Sequence, residues 1–147
     1  MEQLGVKQNV LSDLESRVKS NALIATNTSS IQLEDMATSL SHPERFVGLH
    51  FFNPVSKVPL VEVIRGTKSS EESLQAAMSF VIQIGKLPLP CRSAPGFLVN
   101  RILAPYMIEA LRAREDGFWL ETIDAAAQRF GMPIGPVELA DRVGLDE

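Results

Sequence analysis

The chain has 147 residues, 45% of them hydrophobic and 22% charged, with a formal net charge of −4, a composition suited to one globular domain, or to one domain and part of another. The basic residues are scattered, which argues against nucleic acid as a partner; no apolar run approaches the roughly 20 residues of a membrane span, and the N-terminus lacks the form of a signal peptide. The single cysteine, Cys91, rules out an internal disulfide and points to a reducing, cytoplasmic compartment, and with no Cys/His cluster at ligand spacing no metal site is expected.

Over residues 6–19, Val6, Val10, Leu11, Leu14 and Val18 recur at helical spacing with polar residues between them, which predicts an amphipathic helix. Residues 23–26 follow as a short buried strand. The polar turn 27–30 (NTSS) then falls at the strand's carboxyl end, where ligands sit in open α/β sheets. The same turn also reads as a cap, with Ser29 or Ser30 satisfying the free amides of a short helix over 31–40. His42 and Pro43 make a surface turn that leaves His42 in solvent.

Residues 47–66, VGLHFFNPVSKVPLVEVIRG, read as two apolar strands, 47–52 and 60–64, joined by a loop whose Pro54 and Pro59 cannot supply ladder donors. Each strand carries one ionisable residue among apolar neighbours, His50 in the first and Glu62 in the second. Burying either alone is costly. A chain reversal would bring them together, and a carboxylate accepting from one imidazole nitrogen leaves the other able to take a proton from a substrate hydroxyl. The competing reading makes His50 a hydrogen-bonded structural residue.

Residues 67–70 cap a helix that runs to about residue 84, with Leu74, Ala77, Met78, Val81 and Ile82 on its inner side and Gly85 as its stop. Residues 87–91 form one more short strand, in which Cys91 is expected as a small buried packing residue rather than a nucleophile. Residues 93–96 (SAPG) read as a linker, and there the strand-and-helix alternation ends. A long helix over 97–114 follows, apolar enough for a bundle core at Leu98, Ile102, Leu103, Tyr106, Met107, Ala110 and Leu111, with a kink expected at Pro105. Helices over 119–130, ended by Gly131, and 136–143 complete the chain.

The expected fold is therefore α/β: the C-terminal part of a Rossmann-type dinucleotide-binding sheet domain over 1–94, followed by the start of an all-α domain over 95–147. The phosphate-binding turn is absent from the sequence, since none of the nine glycines is separated from another by one residue.

The runs NTSSIQL, HPERFVGLHFFNPVSKVPLVEVIRG, APGFLVNRILAPYMIEAL and GMPIGPVELADRVGLD, in this order, resemble the L-3-hydroxyacyl-CoA dehydrogenase family, in particular the dehydrogenase part of multifunctional fatty-acid oxidation proteins. The resemblance spans residues 2–146. It implies that His50 is the catalytic base and Glu62 the carboxylate that orients it, that Ser29 and Asn100 hold the reacting hydroxyl and thioester end of the substrate, and that Glu2, Lys7, Asn27 and Asn53 line the NAD cofactor. Without it, Asn100 reads as a polar residue opening a helix, and Glu2 and Lys7 as a solvated helix start. The implied reaction is oxidation of an L-3-hydroxyacyl-CoA to the 3-ketoacyl-CoA, with hydride passing from C3 to NAD and the hydroxyl proton to His50.

Besides the acyl-CoA, the implied partners are a second copy of the chain, paired through the helices after Gly96, and other β-oxidation domains or subunits. The family's Gly-rich turn is expected ahead of Met1 and its last helices after Glu147, so the chain is expected to be an internal fragment that by itself neither binds NAD tightly nor turns over. Two other readings stand beside this one: a related hydroxyacid or sugar-acid dehydrogenase of the same superfamily, and a non-catalytic helical interaction module in which His50 and Glu62 merely hold two strands together.

Overall fold

A computed structural model describes residues 3–29 and 31–143, so Glu2 and the capping role considered for Ser30 lie outside the described residues. The chain divides into two compact units, Met1–Leu98 and Val99–Glu147. In the first unit, helix α1 (Leu4–Arg17) precedes strand β1 (Ile24–Thr26), short helix α2 (Leu33–Ala37), strands β2 (Phe46–Phe51) and β3 (Leu60–Arg65), helix α3 (Glu71–Gln83) and strand β4 (Leu87–Arg92). The strands form one mixed sheet in the order β1-β2-β3-β4. β1 and β2 run parallel, as do β3 and β4, and each pair is joined through a helix, which a parallel neighbour requires. β2 and β3 run antiparallel across a direct reversal, with His50 opposite Glu62.

Side chains alternate across a strand, so β2 sends Phe46, Gly48 and His50 to one face and Val47, Leu49 and Phe51 to the other. The first face packs Ile24, Phe46 and Ile64 under Leu11 of α1, Leu33, Met36 and Ala37 of α2, and Phe97. On the second, Val47, Leu49, Val61 and Val63 meet Leu74, Ala77 and Val81 of α3. Gly48 lets α2 approach closely beside His50: a Cβ there would stand 2.9 Å from Ile64 Cβ and 3.2 Å from Leu33 Cδ1.

Three local expectations need correction. Helix α2 is far shorter than 31–40, because its ends are satisfied from elsewhere: Ile31 N donates to Thr28 Oγ1 and Leu33 N to Ser93 Oγ, while the Thr38 and Ser39 hydroxyls return to the carbonyls of Asp35 and Met36. The residue at its N-cap is Gln32, which makes no capping side-chain bond. Ile82 is 61% exposed rather than inward, since one step beyond Val81 turns the side chain by about 100° out of the Leu74–Ala77–Val81 stripe. The N-terminus of α3 follows expectation, with Ser70 accepting from Ser73 N at 3.1 Å, and Gly85 stops the helix at φ +75°.

The second unit consists of α4 (Val99–Glu115), α5 (Leu120–Phe130) and α6 (Pro136–Val143). Asp124 of α5 caps α6 from a distance, its carboxylate accepting from Val137 N at 2.8 Å and Glu138 N at 3.1 Å. Gly135 makes room for it, because a Cβ would overlap the Asp124 side chain. No residue of α4 or α5 is fully buried. Ile102 (64%), Trp119 (73%) and Phe130 (89%) stand largely in solvent, so the bundle-core character expected of α4 is not realised within this unit. Among the described residues, no helix is long and apolar enough to cross a membrane.

Candidate active site

The centre of the first unit is polar where a sheet of this kind is ordinarily apolar. His50 and Glu62 face each other across β2 and β3, with His50 Nδ1 2.6 Å from Glu62 Oε2. Glu62 is wholly buried and His50 is 7% exposed. An isolated buried carboxylate costs several kcal/mol, on the order of what one domain can spare. Here the second oxygen is held as well, for Oε1 accepts from the backbone amide of Leu98 at 2.9 Å. An ionised carboxylate only accepts, so Nδ1 carries the hydrogen between them and Nε2 keeps its lone pair.

Two aromatic rings fix the imidazole plane. Phe52 lies 4.6 Å and Phe97 5.5 Å from its centroid, both tilted. Phe97 belongs to a tight turn closed by its own N–H on Ala94 O, and its φ of +46° places it in the left-handed region. Cys91 in β4 is half-buried against the same face. Burial, reinforced by the negative charge of Glu62, pushes its thiol up to about 12, which keeps it protonated and suits a packing role.

At the carboxyl end of β1, Asn27 Oδ1 accepts from Phe51 N at 3.4 Å, and Lys7 Nζ donates to Asn27 O at 2.9 Å. The structure thus ties Lys7 and Asn27 together beside the end of the strand that carries His50. Ser29 is half-buried in the turn that follows. Asn53 is exposed, next to a cis bond to Pro54, in a loop that Lys86 gathers by donating to Val55 O and Val58 O. Asn100 belongs to the second unit, where it is the second residue of α4 and half-buried. His42 is exposed, with its ring nitrogen 3.2 Å from Glu44.

Sequence reasoning did not single out Phe52, Phe97 or the Leu98 amide. The two phenylalanines sit within HFFNP and PGF and carried a signal; a backbone donor carries none. Among the described residues no group of His, Cys, Asp and Glu is placed to hold a metal ion.

Residues 1–94 match the family model described as 3-hydroxyacyl-CoA dehydrogenase, NAD binding domain, and residues 96–147 match 3-hydroxyacyl-CoA dehydrogenase, C-terminal domain. The chain is 48% identical over 141 residues to a fatty acid oxidation complex subunit alpha of Psychrobacter sp., covering 96% of this chain and 20% of that protein. It is 45% identical, with the same coverage, to the corresponding subunit of Acinetobacter baylyi. Among solved structures it resembles (S)-3-hydroxybutyryl-CoA dehydrogenase from Ralstonia eutropha, with a TM-score of 0.94 and 40% identity over 99% of this chain and 52% of that one. For 3-hydroxybutyryl-CoA dehydrogenase from Escherichia coli the TM-score is 0.92 and the identity 41%, over 99% of this chain and 31% of the other. The chain thus spans about a fifth of the length of these curated relatives.

Proposed function

Because the chain belongs to the 3-hydroxyacyl-CoA dehydrogenase family, we propose that it carries the proton-transfer pair of an NAD-dependent L-3-hydroxyacyl-CoA dehydrogenase of fatty-acid oxidation, with His50 as base and Glu62 as the carboxylate that orients it. The observation that carries this reading is the buried 2.6 Å contact of Nδ1 with Oε2. It holds the imidazole in the one tautomer whose Nε2 can accept a proton.

In the reaction, the C3–H bond of the hydroxyacyl group breaks with its electron pair, the C3–O bond becomes a carbonyl, and the hydroxyl proton passes to His50 Nε2. Glu62 stabilises the imidazolium that forms. NAD, when bound, accepts the hydride. Lys7 and Asn27 suit the cofactor: the Lys7 ammonium donates to the Asn27 backbone carbonyl at the carboxyl end of β1, the Asn27 side chain supplies one carboxamide there, and Asn53 offers a second on the loop after β2. Ser29 and Asn100 are assigned to the substrate's reacting hydroxyl and thioester end, where they would hold the hydride donor in line. The pyrophosphate turn of such enzymes is not among these 147 residues.

The protein acts in the cytoplasm and self-associates through the helices of the second unit; the exposed Ile102, Trp119 and Phe130 support that assembly. Light scattering of the full-length protein that returns a monomer would remove the assembly part. The activity itself is tested by His50→Gln in the full-length protein, with NADH formation from L-3-hydroxybutyryl-CoA as the readout. A loss of about 10²–10⁴ in kcat is expected. Turnover at the wild-type rate would overturn the assignment.

A further inference from the structure

The segment from Ser93 to Leu98 leaves β4 and folds back over the His50–Glu62 pair. At its start, Ser93 N donates to Arg65 O at 2.9 Å. The Ser93 hydroxyl accepts from Leu33 N at 3.1 Å and donates to Glu34 Oε2 at 2.6 Å. Glu34 Oε1 accepts from Thr67 N at 2.9 Å. One carboxylate on α2 therefore gathers α2, the turn after β3 and the chain leaving β4. Burial alone would raise the Glu34 pKa, but the bonds from Ser93 and Thr67 outweigh it and hold the carboxyl below its ordinary value, so both bonds are charge-assisted.

At the far end of the segment the Leu98 amide reaches Glu62. Between the two anchors lies Phe97 at φ +46°, a conformation that a β-carbon disfavours and that persists only where its surroundings impose it. We propose that Ser93 and Glu34 form a latch that positions Glu62, acting by pinning the chain so that the Leu98 amide stays on the carboxylate and the Phe97 ring stays against His50. The inference rests on the dehydrogenase reading above. Released at Ser93, the turn relaxes, the Leu98 amide is no longer fixed on Oε1, and the carboxylate no longer holds the imidazole in line. Proton transfer suffers while binding does not, so Ser93 and Glu34 are positioning residues that touch no reacting atom.

The test compares Ser93→Ala, Glu34→Gln, Ser93→Thr, Glu62→Gln and the pair Ser93→Ala/Glu62→Gln in the full-length protein, using L-3-hydroxybutyryl-CoA and NAD. Ser93→Ala and Glu34→Gln should each lower kcat about tenfold, the loss expected when one charge-assisted bond no longer aligns the base, with both KM values unchanged. Ser93→Thr, which keeps the hydroxyl, should restore kcat. In the Glu62→Gln background, Ser93→Ala should add nothing, because the carboxylate it serves is gone; a merely structural serine would cost the same in both backgrounds.

Hydrogen exchange supplies a readout that does not depend on turnover. The Leu98 amide should lose protection in Ser93→Ala and Glu34→Gln while the amides of α3 keep theirs. Unchanged protection at Leu98, an unchanged kcat, an effect on KM alone, or full additivity with Glu62→Gln would overturn the latch. If the wild-type protein does not oxidise the substrate but Leu98 responds as described, the dehydrogenase reading falls and the latch stands.

Discussion

Replacing Glu62 by Gln separates charge from shape at the centre of the site. The carboxylate accepts from His50 Nδ1–H at Oε2 and from Leu98 N–H at Oε1. A carboxamide has one accepting oxygen and one donating nitrogen, so it can serve only one of them. With its oxygen kept on the Leu98 amide, its nitrogen faces His50, and the ring must move its hydrogen to Nε2 to accept at Nδ1. That tautomer cannot take the substrate's proton. The lost charge matters separately: at about 4 Å and an effective dielectric near 20, the attraction between imidazolium and carboxylate is about 4 kcal/mol, worth about 10³ in rate. We therefore expect kcat to fall about 10³-fold, with KM for the acyl-CoA and for NAD little changed. Stability should fall by no more than about 1.5 kcal/mol, because the tautomer change leaves no buried charge unpaired. Steady-state NADH formation and a denaturant titration measure the two quantities. A variant that keeps wild-type kcat would refute the assigned role of Glu62, whatever its stability.

Two further outcomes follow from the packing. Gly48→Ala should destabilise the first unit by about 1–3 kcal/mol, the cost of overpacking a filled core, because Ile64 Cβ and Leu33 Cδ1 stand where the new methyl would go; a shift in urea midpoint at constant slope reads this. The Cys91 thiol titrates at about 12 in the folded chain against an ordinary 9.0, so between those values the native state binds more protons than the unfolded one. Its contribution is whole below pH 9 and lost as pH rises toward 12; accordingly, iodoacetamide should label Cys91 at mildly alkaline pH only after unfolding, as mass spectrometry can show.

The sheet and its central pair were legible because their signals are local and periodic. The two apolar runs fixed β2 and β3, and one ionisable residue in each implied a partner that the reversal could supply. The helix over Leu33–Ala37 was overestimated because what ends it comes from Ser93, sixty residues away in sequence, and from hydroxyls that turn back on their own backbone. Ile82 was misplaced by a single step around α3. The Leu98 amide escaped notice for a different reason: every residue but proline has a backbone N–H, so nothing in the letters SAPGFL says that this one meets a carboxylate. Polar residues with short side chains, such as Ser93 in what read as a linker, hide their long-range bonds in the same way.

The energetics of the pair also bear on whether it serves only to join two strands. An ion pair buried in a sheet is no better for stability than two well-packed apolar side chains, and often worse. β2 and β3 already have such side chains in Val47, Leu49, Val61 and Val63, so a valine or leucine at 50 and 62 would hold the strands at less cost. The fold instead keeps a wholly buried carboxylate, gives each of its oxygens a donor, and sets Phe97 at a positive φ beside the ring. These features cost stability without improving the sheet, and together they fix one nitrogen of one imidazole as an acceptor. That pattern favours the proton-transfer assignment over the purely structural one, since strain and buried charge persist where the geometry they enforce is used.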